Sequence, residues 1–302
     1  MSRTISKKKI EQFKIFLLED EKANETIVKY IRELEAFLCF IGENTVSKEK
    51  VIKYKHHLMA CYAPTSVNCK LAAINRFLRW QGWYDCTVKA LKIQRQAFRP
   101  KERELSKDEY FRLLKVAKEK KNKRLYLMMQ AICSTGIRVG ELQFITVEAV
   151  RQERATVSFK GKTRQVLIPR NLLAELRKYI KERGLKSGSI FVTRSGKPVN
   201  RNNILYEMKA LCERAKVERS KVFPHNLRHL FACIYYKREK DLSRLADILG
   251  HSNINTTRIY TSVSGDEQQL KIESLGLLLD FKCGIAEHSL CNKRLFPEKS
   301  NP

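Results

Sequence analysis

Glycine and proline are scarce in this chain of 302 residues, at 12 and 7. That excludes a collagen-like or low-complexity protein, and a hydrophobic fraction of 43% is enough to build cores. Acidic residues are few as well. Against 60 Lys and Arg stand 32 Asp and Glu, a formal net charge of +28. A globular chain this basic points to a polyanionic partner, nucleic acid first and an anionic membrane surface second. Long apolar runs are missing too; none approaches the roughly 20 residues that span a bilayer. No strongly amphipathic basic helix stands out, so no membrane partner is expected. The opening segment Met1–Ile10 is polar and has no apolar core of the kind a secretory leader carries. The expected localisation is cytoplasmic.

C-x-x-C pairs are absent. The nine cysteines (Cys39, Cys61, Cys69, Cys86, Cys133, Cys212, Cys233, Cys283 and Cys291) are odd in number and scattered. This argues against a disulfide framework and against a zinc site. Most read as small buried hydrophobes, with Cys283 and Cys291 in a polar tail. No carboxylate cluster or Cys/His set suggests a metal, and no cofactor is expected.

What is present is mainly α-helical. Ile10, Phe13, Phe16 and Leu17 recur at helical spacing, as do Ile27, Tyr30, Ile31, Leu34, Phe37 and Leu38, with Gly42 closing the second helix. A shorter helix follows near Ser47–Leu58. Pro64-Thr65-Ser66 opens a fourth, with Val67, Leu71, Ile74, Phe77 and Leu78 on its apolar side. Lys70, Arg76 and Arg79 are interleaved on it, as phosphate contacts or as a solvated face. Residues 1–92 therefore read as an all-α module. Residues 93–104 lose apolar periodicity and read as a linker. A second domain spans 105–282, and 283–302 form a polar tail. Ser106 with Glu109 predicts a capping box at its first helix. Helices are expected near 107–120, 123–135, 170–183, 200–215, 225–238, 241–249 and 253–262. Thr156–Phe159 and Arg164–Ile168 read as strands joined by Lys160-Gly-Lys162-Thr163, with a third short strand at Ile190–Val192.

Four segments of this second domain carry chemistry. In Ser134-Thr-Gly-Ile-Arg138-Val-Gly-Glu-Leu142 an arginine stands at a turn beside glycines, where it can fork two donors onto a phosphate. Lys160 or Lys162 on the hairpin can protonate a leaving oxygen. His225-Asn-Leu-Arg228-His229 puts an imidazole and a guanidinium three residues apart, on one helix face. In Leu249-Gly-His251-Ser-Asn-Ile-Asn-Thr-Thr-Arg-Ile-Tyr260, His251 falls at a turn and Tyr260 two turns into the next helix. Taken singly, each is also what a surface arginine, a solubilising lysine, a capping histidine or a half-buried aromatic looks like.

In this order, Arg138, Lys160, His225, Arg228, His251 and Tyr260 resemble the signature of the tyrosine recombinases, the phage-integrase-like family that includes the Xer proteins. The hairpin is one residue shorter than the family's usual form, so Lys160 has Lys162 as its rival. The resemblance implies two domains: a SAM-like, all-α core-binding domain, and a mostly helical catalytic domain with a small antiparallel sheet. It implies cleavage and rejoining of DNA through a 3′-phosphotyrosine on Tyr260, for integration, excision, transposition, inversion or dimer resolution. Arg138, Arg228 and His251 would bind the phosphate, His225 would serve as base and Lys160 as acid, without metal or ATP. Lys70, Arg76 and Arg79 would touch DNA from the first domain. The implied partners are a double-stranded recombination site, a homotetramer on synapsed DNA, and in some systems accessory proteins. The segment Glu267–Leu279 resembles the helix through which such subunits exchange contacts. The chain opens directly in the core-binding module, as in a simple Xer, transposon or small-integrase type. The competing readings are a non-catalytic regulatory or architectural DNA-binding protein and, nearer in chemistry, a type IB topoisomerase.

Overall fold

The computed structural model describes residues 3–42, 45–93, 103–159, 161–193, 195–260, 269–270, 272–275 and 277. The chain divides into two compact units, Met1–Gln96 and Ala97–Pro302. No helix among the described residues is long and apolar enough to cross a membrane.

The first unit holds α1 (Lys7–Glu19), α2 (Asn24–Ile41), α3 (Lys48–Cys61) and α4 (Pro64–Trp80). Its boundaries are written locally. The Ser6 and Ser47 side chains accept from backbone N–H groups in the first turns of α1 and α3, and Pro64 takes the first turn of α4, where its missing N–H costs nothing. Gly42 ends α2 in the left-handed conformation. Phe13, Leu34, Phe37, Val51, Val67, Ile74, Phe77 and Leu78 form the core, with Phe13 edge-on to Phe77 at 5.2 Å.

The second unit is built around α6 (Lys123–Thr135), whose apolar residues are almost all buried. Against it pack α5 (Lys107–Glu119), α8 (Arg170–Arg183) and α11 (Pro224–Glu239). The Ser106–Glu109 capping box at the start of α5 is complete in both directions. Short α7 (Val147–Arg151) leads into β1 (Arg154–Phe159), which pairs antiparallel with β2 (Lys162–Leu167). Phe159 stands opposite Lys162, so Lys162 and Thr163 belong to the strand rather than to the joining segment.

Three other expectations are corrected. Ile190–Val192 makes isolated bridges, Thr146↔Ser189 and Val192↔Pro198, and no strand. A proline partner has no N–H to continue the ladder. The helix expected over 200–215 is α9 (Arg201–Lys209) and a single turn, α10 (Cys212–Ala215); at the break the Ala210 carbonyl accepts from Lys120 Nζ. After α12 (Leu242–Leu249) the described part of the helix expected over 253–262, residues 253–260, is not α-helical. It makes two 3-10 turns, Ile254–Thr256 and Arg258–Tyr260. The Asn253 side chain accepts from Asn255 N, and Thr256 Oγ1 donates to the Asn253 carbonyl. Side chains that bond to nearby backbone groups in this way compete with an α-helix.

Candidate active site

A helix leaves its last carbonyls without intrahelical donors and carries partial negative charge there. At the end of α12 three consecutive carbonyls each accept from a different arginine. Ile248 O faces Arg164 Nε at a long 3.4 Å, Leu249 O accepts from Arg228 Nη2 at 2.7 Å, and Gly250 O accepts from Arg138 Nη2 at 3.2 Å. The three arginines come from β2, from α11 and from the turn after α6. The turn after α6, β2, α11 and α12 thus meet at one point.

Arg228 is 2% exposed, because α11 packs along α6. Its Nη1 donates to the carbonyl of Gly136, the left-handed residue that ends α6, at 2.5 Å. It therefore ties the end of α6 to the end of α12. Burial, and then the charge of Arg138, pulls its pKa down to about 10, so it stays protonated at neutral pH.

Arg138 precedes the 3-10 turn Val139–Phe144. Its backbone N–H and its Nη1 both donate to the Glu141 carboxylate, at 2.9 Å each. Glu141 is 1% exposed and also accepts from Arg164 Nη2 at 2.9 Å. Burial alone would raise its pKa; the bonds from Arg164 and Arg138 outweigh that and hold it below the ordinary carboxylate value. The Arg138 side chain stays 39% exposed, the most open of the three guanidinium groups.

His251 follows Gly250. Its Nε2 lies 3.0 Å from Arg228 Nη2 and its Nδ1 2.9 Å from Thr257 Oγ1. A guanidinium only donates, so Nε2 must accept and the proton sits on Nδ1, directed at the threonine. Burial first, then the charges of Arg228, Arg138, His225 and Arg164, push its pKa down to about 4. At neutral pH it is uncharged. His225, at the exposed start of α11, thus lies within electrostatic reach of the same cluster.

Tyr260 ends the second 3-10 turn and is 4% exposed. Its ring lies between two imidazoles, stacked on His251 at 6.3 Å and tilted against His229 at 5.1 Å. The burial of Arg228 is partly offset by the nearby Tyr260 oxygen.

Of the residues expected from sequence, Arg138, Arg228, His251 and Tyr260 come together, with His225 beside them. Lys160 lies outside the described residues. Of Lys162 only the backbone is described, as the first residue of β2. In the other unit, Lys70 is held by the buried Glu33 at 2.6 Å and lies over the Tyr62 ring. Arg76 pairs with Asp20 at 2.8 Å and covers Phe16. Both have structural partners, which an amphipathic reading of α4 alone does not reveal. Arg79 is exposed and lines, with Lys48, Lys89 and Tyr84, a cavity of about 770 Å³. Of the segment Glu267–Leu279, the described Leu270, Ile272, Leu275 and Leu277 are all exposed. Among the described residues no group of three His, Cys, Asp or Glu side chains is arranged to hold a metal ion.

Two family models match the chain. One, described as the phage integrase family, covers residues 103–267, and a second, the phage integrase N-terminal SAM-like domain, covers 10–83. The chain belongs to the phage integrase family of tyrosine recombinases. It is 32% identical over 212 residues to the tyrosine recombinase XerA of Thermococcus kodakarensis, covering 67% of this chain and 72% of the relative. It is 28% identical over 222 residues to XerA of Pyrococcus furiosus, covering 72% and 76%. In fold it resembles a XerH site-specific recombinase bound to a palindromic difH substrate in a post-cleavage complex. The TM-score is 0.67 and the identity 20%, over 83% of this chain and 80% of that one.

Within this phage integrase fold, sequence reasoning passed over Glu141, Arg164 and Thr257. Glu141 stood three residues after Arg138, a capping distance. Arg164 also left a signal. Along β2 it shares a face with the buried Val166, and its partner across the hairpin is the buried Val157. A charge at an inward strand position needs a buried partner.

Proposed function

We propose that this protein is a site-specific tyrosine recombinase that cleaves and rejoins DNA, with Tyr260 as nucleophile. The observation that carries the reading is the convergence of Arg138, Arg228 and His251 on the end of α12 beside Tyr260. A phosphodiester under attack gathers negative charge on its non-bridging oxygens, and fixed cations are what such a state requires. Arg138 spends two of its five N–H donors on Glu141 and Gly250, so three remain for phosphate. Arg228 is more committed, to Gly136, Leu249 and His251. Phosphate oxygens would supply the acceptor that His251 Nε2 now provides to Arg228, and the imidazole could then take a proton on Nε2 and donate as well.

In the step itself, Tyr260 Oη forms a bond to phosphorus and the bond to the 5′ oxygen breaks. The phenolic proton passes to His225, and the departing oxygen takes a proton from Lys160, with Lys162 the rival. The products are a 3′-phosphotyrosine and a free 5′ hydroxyl. Attack by a 5′ hydroxyl reverses the step and reseals the strand without ATP, and charge compensation rests on the guanidinium groups rather than on a metal. Because Tyr260 is 4% exposed, its turn must shift outward when DNA binds. The partner is a double-stranded site. The net charge and the exposed Arg79 support contacts to its backbone from the first unit, with Lys70 and Arg76 freed for phosphate only if they leave Glu33 and Asp20. The exposed leucines of 270–277 support packing against a second subunit in a tetramer.

The test is to express the chain, lyse cells into SDS and recover DNA that remains attached to protein. Wild type should retain DNA at discrete sites and Tyr260→Phe should retain none. Equal DNA recovery from the two proteins would place the nucleophile on another residue, and none from wild type while both still bind duplex would favour a non-catalytic DNA-binding protein.

A further inference from the structure

Glu141 is a liability as well as an anchor. It is a buried carboxylate bonded to Arg138, the most exposed arginine of the cluster. With Arg138 as sole partner, the pair would be close to neutral, and the guanidinium would have little net charge to offer a phosphate. Arg164 changes this balance. It donates to the other Glu141 oxygen at 2.9 Å from a side chain 15% exposed, so two cations share one anion.

The position of Arg164 is fixed from three directions. Its backbone is paired in β2 opposite Val157, its Nε faces Ile248 O, and Gly250 lies against its side chain. A Cβ built on Gly250 would come 2.6 Å from Arg164 Cδ and 2.8 Å from Nε, and Gly250 also has φ +63°. The residue before His251 thus has no room for a side chain while Arg164 is in place. Shape and charge agree: the fold makes space for this arginine at the centre of the cluster, behind the groups that face solvent.

We propose that Arg164 is a positioning residue for the recombination reaction. It neutralises Glu141, so that Arg138 keeps its charge for phosphate. The inference rests on the proposed recombinase chemistry. It also ties the strand that begins at Lys162 to the arginine cluster, because Arg164 belongs to that strand.

The experiment uses the full chain and a duplex carrying a site recovered from the wild-type covalent complex. Single-turnover formation of the covalent complex, duplex affinity and thermal melting are measured for Arg164→Gln, Arg164→Lys, Glu141→Gln and the double variant Glu141→Gln/Arg164→Gln. Arg164→Gln should slow covalent-complex formation about 100-fold, the scale of losing one preorganised charge-stabilising group, while duplex affinity stays within about threefold. Arg164→Lys keeps the charge and loses the fork, and should recover about tenfold of that loss. In the Glu141→Gln background there is no anion to neutralise, so adding Arg164→Gln should cost less than about threefold more. Three results would overturn the proposal: Arg164→Gln reacting like wild type, Arg164→Lys no better than Arg164→Gln, or losses that multiply in the double variant as they would for simple packing damage. If wild type itself forms no covalent complex, the recombinase reading fails and this proposal with it, whereas a reactive wild type confines failure to Arg164.

Discussion

At the scale of single residues, the two arginines that would face phosphate have different structural duties. Arg228 is buried and satisfies the Gly136 and Leu249 carbonyls. Its truncation to Ala would strand both. At about 1–3 kcal/mol for each unsatisfied buried group, Arg228→Ala should lower stability by several kcal/mol and abolish cleavage. Arg138→Ala should abolish cleavage with a much smaller fall in Tm, because that side chain is partly exposed. Parallel melting curves and covalent-complex assays check this; equal losses of stability would contradict it. His251 supplies a second test. Its ordinary pKa is 6.5, and in the folded site burial and Arg228 lower it to about 4. Between those values the unfolded chain binds more protons than the folded one, so the contribution is full above pH 6.5 and is lost as pH falls toward 4. The Tm of His251→Gln should therefore drop less than that of wild type between pH 6.5 and pH 4. Identical slopes would mean that His251 is not held neutral.

At the scale of elements, the ends of helices do much of the positioning. Gly136 ends α6 with φ +67°, and a Cβ there would come 2.6 Å from the Phe231 ring. Its carbonyl is also a ligand of Arg228. Gly136→Ala should cost roughly 1–3 kcal/mol in stability, through left-handed strain and overpacking. Because any shift moves the Arg228 acceptor, cleavage by the folded fraction should slow as well. Wild-type cleavage by a destabilised Gly136→Ala would contradict that link. Most helices were legible because their signals are local: the Ser106–Glu109 box, Pro64 at the first turn of α4, and Gly42, Gly136 and Gly250 at helix ends. The misreadings fell where the outcome depends on a distant partner or on side chains competing with backbone. Ile190–Val192 looks like a strand by composition, but its bridging partner includes Pro198. The run Asn253-Ile-Asn-Thr-Thr has helical length, but its Asn and Thr side chains bond to the backbone and tighten it into 3-10 turns. Arg138 and Arg228, the arginines proposed to bind phosphate, were legible from their motif spacing. Arg164 was not singled out, because its buried carboxylate lies 23 residues earlier in the chain.

At the scale of the whole molecule, a net charge of +28 accounts for attraction to a polyanion but not for chemistry on it. The proposed distinction between an enzyme and a binder rests on the arrangement at the end of α12, where Tyr260 is the proposed nucleophile. The residues named in that arrangement all belong to the second unit. The most direct measurement is therefore chemical. The SDS-stable complex is digested with nuclease and protease, and the peptide that retains a nucleotide is sequenced by mass spectrometry. The nucleotide should be found on Tyr260, joined through its 3′ phosphate. An adduct on any other residue, or a 5′-phosphate linkage, would contradict the mechanism.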